Sequence, residues 1–120
     1  MKEVEEDIDL NSQLDKWRLQ LRKGVLVYMV LNLLNRQEMY GYALISSLSD
    51  KMAANMAEGT IYPLLNRMVR KGNVSFDWRI METGPARKYY QITNSGKQLL
   101  ASMHEHWQGI NSSIQGLRDD

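Results

Sequence analysis

Glu58-Gly59-Thr60-Ile61-Tyr62-Pro63-Leu64-Leu65-Asn66-Arg67, with the alternating segment that follows and then Arg87-Lys88-Tyr89-Tyr90-Gln91-Ile92-Thr93, sets the architecture of this chain. Ile61, Leu64, Leu65, Met68 and Val69 recur at i, i+3, i+4, i+7 and i+8, a full match to an amphipathic helix. That spacing leaves Thr60, Tyr62, Pro63, Asn66, Arg67, Arg70 and Lys71 outside, a basic and aromatic face. Pro63 is tolerated if Thr60 caps the helix and Pro63 falls in its first turn. Gly72 stops the helix after Arg70-Lys71, where cations suit the C-terminal dipole. The period then changes to two. Val74, Phe76, Trp78 and Ile80 alternate with Ser75, Asp77 and Arg79, which predicts a half-buried strand. Thr83-Gly84-Pro85-Ala86 predicts a turn, and Arg87–Thr93 a return strand. A helix with such a face fits the DNA major groove, and a basic two-stranded ribbon beside it can hold the phosphate backbone.

Upstream, Ala43, Leu44, Ile45 and Leu48 predict a helix from about residue 41 to 52, joined to the next by a short connection over 53–57. Val25, Leu26, Met29, Val30, Leu33 and Leu34 predict another over about 23–35, buried on a broad face and separated by a bend at Gly24 from a helix before it. That first helix carries the stripe Leu10, Leu14, Trp17 and Leu21, with Asn11 or Ser12 as its cap. Downstream, Thr93 or Asn94 caps a last helix on which Leu100, Met103, Trp107, Ile110, Ile114 and Leu117 follow at intervals of three and four. This heptad-like seam needs a partner: the stripe Leu10–Leu21, in the same chain or in a second copy.

The expected fold is therefore mostly α with a small β-ribbon, a winged helix-turn-helix with N- and C-terminal dimerisation helices. Residues 1–9 form an acidic, disordered or fraying tail, 10–93 the winged helix-turn-helix with its N-terminal helix, and 94–120 the dimerisation helix. At 120 residues the chain is expected to be one domain that gains from self-association.

The net charge of +1 hides an uneven distribution. Five acids and one lysine fall in residues 1–9, leaving 14 basic against 9 acidic residues in the remainder, and Asp119-Asp120 is again terminal. A basic body with acidic ends is compatible with a polyanion partner. The absence of cysteine excludes disulfides, zinc knuckles and thiol catalysis, and fits a reducing cytoplasm. No apolar run reaches the roughly 18 residues of a membrane span, and the acidic start is unlike a signal peptide. The pair His104 and His106 does not make a metal site, because positions two apart on a helix point about 200° around its axis. Neither a cofactor loop nor a catalytic constellation stands out, so no enzyme is expected.

From about residue 23 to 107 the sequence resembles the PadR family of bacterial transcriptional regulators. The resemblance rests on Arg22-Lys23-Gly24-Val25-Leu26, Met39-Tyr40-Gly41-Tyr42, Glu58-Gly59-Thr60-Ile61-Tyr62-Pro63-Leu64-Leu65, Gly84-Pro85, and Arg87-Lys88-Tyr89-Tyr90 through Thr93 with Gly96. The short segment after Thr93 is similar to the subgroup with a single C-terminal helix. The resemblance implies a homodimeric repressor that binds a pseudo-palindromic operator in double-stranded DNA and is released by a small effector. The chain departs from the family in its acidic extension, and in Ala57 where many relatives have a hydroxyl residue.

The expected DNA-contacting residues are Tyr40, Tyr42, Thr60, Tyr62, Asn66, Arg67, Arg70, Lys71, Arg87 and Lys88. Asn bonds adenine and Arg bonds guanine bidentately, while tyrosines at a helix start and cations beside a turn suit phosphates. The alternative for each is an ordinary solvated face, and one of Tyr40 and Tyr42 can equally belong to the core. In short-helix relatives that bind flat drugs, a tryptophan at the place of Trp107 faces its dimer mate. The resemblance thus implies an aromatic ligand stacked on Trp107, with Trp17 lining the same space; the plainer reading is a seam residue in a closed dimer core. The expected dimer interface comprises Leu10, Leu14, Leu21, Leu100, Met103, Ile110, Ile114 and Leu117. A competing function is a winged-helix protein-interaction module that does not bind DNA.

Overall fold

The computed structural model describes the backbone of residues 2–52, 56–80 and 82–119, and the side chains of 9–51, 56–80 and 82–119. Four helices and three short strands follow in the order α1 (Lys2–Arg36), β1 (Met39–Tyr40), α2 (Gly41–Met52), α3 (Glu58–Arg70), β2 (Val74–Arg79), β3 (Arg87–Ile92) and α4 (Asn94–Asp119).

The largest departure from expectation is α1. The two helices expected around a bend at Gly24 are one continuous helix, whose backbone extends through residues 2–9. A glycine inside a helix costs only about 1 kcal/mol relative to alanine, which a 35-residue helix absorbs. The sequence looks divided because the apolar face changes sides. At 100° per residue, Leu26, Val30 and Leu34 lie roughly opposite the stripe Leu10, Leu14, Trp17 and Leu21. The former are buried and the latter exposed.

The predicted α2 matches its observed bounds. Part of the connection after it, 53–55, lies outside the described residues. Helix α3 starts three residues earlier than expected, capped at Ala57 and not at Thr60. Ala57 is its N-cap, with the amides of Thr60 and Ile61 donating to the Ala57 carbonyl at 3.0 and 3.1 Å. Thr60 is thus inside the first turn rather than capping it, and Pro63 lies in the second turn. Glu58 in the first turn replaces the missing cap electrostatically. The C-terminus closes in a Schellman arrangement: Gly72, at φ +82°, donates to the Val69 carbonyl and Asn73 to that of Met68.

The sheet has three strands rather than two. Its order is β1-β3-β2, antiparallel throughout, with Met39 opposite Tyr90 and Phe76 opposite Tyr90 on the other side. Two residues of β1 are too short to show a period. Thr93 settles the last cap: its Oγ1 accepts from the Gly96 amide at 3.1 Å, the N-cap to N3 bond. Its hydroxyl also donates to the Gly72 carbonyl at 2.6 Å, tying α4 to the end of α3.

The core is apolar and built from all layers. Val30 and Leu31 of α1, Leu44 and Leu48 of α2, Ile61 and Leu65 of α3 and Val74 of β2 are its fully buried side chains. Leu100 of α4 joins it, and so is packed in its own chain rather than exposed along the seam. The core does not continue under β2. Val74 is 1% exposed, but Phe76, Trp78 and Ile80 are 36%, 61% and 84% exposed, so the expected half-buried strand is buried only at its root.

Candidate nucleic-acid interface

The outer face of α3 and the sheet enclose an open cleft of about 760 Å³, lined by residues of β1, α2, α3, β2, β3 and the turn before β3. Six expected contact residues line it together: Tyr40, Tyr42, Tyr62, Asn66, Arg87 and Lys88. Thr60, Arg67 and Arg70 on α3 and Lys71 at its C-cap are exposed outside its lining. Tyr62, Asn66 and Arg70, four apart, form one line along the helix.

Each aromatic has a defined seat. Tyr42 is 64% exposed at the start of α2. Tyr62 is half-buried because its ring lies across Gly41; a β-carbon on Gly41 would stand 2.6 Å from Tyr62 Cε1. Only glycine allows that approach without moving the ring. Burial, and secondarily the Glu58 carboxylate, push the Tyr62 phenol above its usual value near 10. It therefore keeps its proton at neutral pH and can donate to a phosphate or a base acceptor. Tyr40 is half-buried beside Tyr89, with ring centroids 5.6 Å apart.

Strand alternation sends Arg87 and Lys88 to opposite faces of the wing, although both border the cleft. Arg87 stacks over Tyr40 at 5.0 Å, and Lys88 lies 4.3 Å from the centre of Phe76 and 5.4 Å from that of Trp78. A cation held against an aromatic face keeps N–H groups free for an anion. Trp78, read from the sequence as an inward strand residue, is a further cleft residue. Alternation marks a face, but not whether the core reaches beneath it.

A second concavity, about 560 Å³, lies between α1 and α4 and is strongly apolar. Leu21, Val25, Tyr28, Met103, Trp107 and Ile110 contribute to it. Tyr28 and Trp107 meet at 6.2 Å and 41°, and the Tyr28 hydroxyl bonds His104 Nδ1 at 2.6 Å. Trp17, expected in the same space, is 58% exposed on α1 one turn before the groove and does not line it. No helix is long and apolar enough to cross a membrane among the described residues.

A three-helix body with an antiparallel wing and a cleft of aromatic and basic side chains between helix and wing is a winged helix-turn-helix. Residues 30–102 match the model of the transcriptional regulator PadR-like family, and the chain belongs to that family of transcriptional regulators. A PadR family transcriptional regulator from Eggerthella lenta superposes with a TM-score of 0.81 at 31% identity, over 92% of this chain and 96% of that one. A PadR-like regulator from Bacillus cereus gives 0.75 at 34% identity, over 82% and 95%. The negative transcriptional regulator PadR of Bacillus subtilis is 33% identical over 78 residues, 63% of this chain but only 43% of that protein. The family consists of regulators, not enzymes.

Proposed function

We propose that this chain is a homodimeric, cytoplasmic repressor that binds a pseudo-palindromic operator in double-stranded DNA and is released by a small aromatic effector. One observation carries the reading: Tyr42, Tyr62 and Asn66 share a single exposed cleft with Arg87 and Lys88 of the wing. Base-reading and phosphate-holding groups are thereby presented together, on rigid elements, as operator binding requires. Repression is supported by the name of the Bacillus subtilis relative. Release by an aromatic effector is supported by the apolar groove beside Trp107, whose indole is 40% exposed.

The test is titration of the purified protein with the DNA immediately upstream of its own gene across a range of salt. A steep linear fall of log affinity with log salt is the expected outcome. Absence of any salt-sensitive binding would sink the reading and leave a protein-interaction module.

A further inference from the structure

We infer that Glu38 is a positioning residue for DNA binding: through Arg79 it straps the free end of the wing to the root of the sheet, fixing the pose in which Arg87 and Lys88 meet phosphate. The inference rests on the DNA-binding reading above and adds a residue outside the cleft to it.

Packing does not hold the wing along its whole length. Exposure along its apolar face rises from Val74 through Phe76 and Trp78 to Ile80, so packing anchors the root and not the distal half. The opposite face carries polar groups instead. Arg79, the last residue of β2, donates from both terminal nitrogens to the Glu38 carboxylate at 2.6 and 2.7 Å. Its Nε lies 3.3 Å from Asp77 Oδ1. Gln91 Nε2 donates to Glu38 Oε2 at 3.1 Å and to Asp77 Oδ2 at 3.3 Å, while its Oε1 accepts from Ser75 Oγ. Glu38 immediately precedes β1, and β1 and β2 are the two edge strands. The bidentate pair thus crosses the full width of the sheet, from one edge to the other.

The strap also organises its neighbours. The Arg79 guanidinium lies 4.4 Å over Tyr89, Tyr89 abuts Tyr40, and Arg87 stacks on Tyr40. Arg79 and Arg87 are moreover direct partners across the β2–β3 ladder. Moving Arg79 therefore moves Arg87. The charge of Arg79 is committed to two carboxylates, so its role is to hold the wing rather than to touch DNA. A bidentate fork gives such a pair a fixed geometry that a lysine would not. Hydrogen bonds from Arg79 and then Gln91 hold the Glu38 carboxyl below its ordinary value near 4.5, so it stays ionised well below neutral pH.

The test uses Glu38→Gln in the full chain, an isosteric change that removes the charge. Affinity is measured for a duplex selected from a random pool and for an unrelated duplex of equal length, alongside amide exchange of residues 74–92. The expected result is roughly tenfold weaker binding of the selected duplex, as when the competent pose is populated a tenth of the time. Faster exchange in the distal wing and unchanged core exchange should accompany it. The double variant Glu38→Arg with Arg79→Glu should recover most of the loss. Unchanged selective binding, or a uniform gain on both duplexes from removing a negative charge, overturns the inference alone. A wild-type protein that binds neither duplex overturns the DNA-binding reading and the inference with it.

Discussion

Asn66 shows how much of this interface hangs on single side chains. It is exposed in the cleft one helical turn beyond Tyr62, where an amide can bond adenine N6 and N7 together. Asn66→Ala is expected to weaken binding to a selected operator by about 1–3 kcal/mol and to relax preference at one base position. Competition between the operator and single-base variants checks it; equal losses on every sequence would make Asn66 a backbone contact. Gly41 acts one step removed. A β-carbon there meets only the movable end of the Tyr62 ring, so Gly41→Ala should displace that ring at a modest stability cost of about 1–2 kcal/mol. Its DNA affinity should fall in step with that of Tyr62→Phe, which loses only the hydroxyl. A Gly41→Ala protein with normal operator affinity would show that the Tyr62 seat is irrelevant to recognition.

The elements differ in how far their sequence announces them. Helix α3 was legible because five apolar positions recur at helical spacing and Gly72 ends the run, but its start was not. Ala57 carries only a methyl group, which cannot accept a hydrogen bond, whereas Thr60 has the chemistry of a cap but lies in the first turn. Helix α1 reads as two helices because its apolar residues serve two different sides. The strap from Glu38 to Arg79 joins residues 41 apart, and no local pattern can announce such a pair. Helix α4 was announced correctly through its cap, and its docking can be tested there. Thr93→Ala should cost about 1 kcal/mol, the usual worth of an N-cap, in urea unfolding. Gly96→Ala should cost about 3 kcal/mol, because its β-carbon would overlap the Asn73 carbonyl, a backbone atom that cannot rotate away. Equal effects of the two changes would mean that α4 does not pack where the structure places it. Further along, Trp107→Ala should abolish calorimetrically detectable binding of planar aromatic compounds to the α1–α4 groove. Unaltered binding would move any effector site elsewhere.

At the scale of the molecule, the chain is a winged-helix head on a long handle whose apolar side it does not cover itself. Its Cα envelope is 60 × 34 × 21 Å, the longest dimension set by α1. Leu10, Leu14, Trp17 and Leu21 on α1 are 39–61% exposed, and Trp107, Ile110, Ile114 and Leu117 on α4 are 40–78% exposed. Two apolar stripes of this length are unusual on a monomer's surface and mark an interaction face. Within the chain α4 meets α1 through Leu100 in the core and through Tyr28, His104 and Trp107, and both stripes remain exposed beyond these contacts. Recognition gives a reason for a second copy to cover them. One α3 offers few base contacts, whereas two heads held about 34 Å apart read two successive turns of the groove. Replacing both Ile110 and Ile114 by Asp places charges in that seam while touching nothing in the core, where Leu100 sits. The variant should sediment as a monomer, keep the thermal stability of its head, and bind an isolated half-site as wild type does. Its affinity for the full operator should fall by more than about a hundredfold, since the second contact is no longer intramolecular. Retention of a dimer by that variant would place the interface elsewhere, and equal binding of full and half operators by wild type would remove the need for one. The same geometry links the two concavities. In the dimer proposed above, a molecule wedged against Trp107, which is 40% exposed on α4, would alter the separation of the heads, and hence the fit to both half-sites, without touching either cleft.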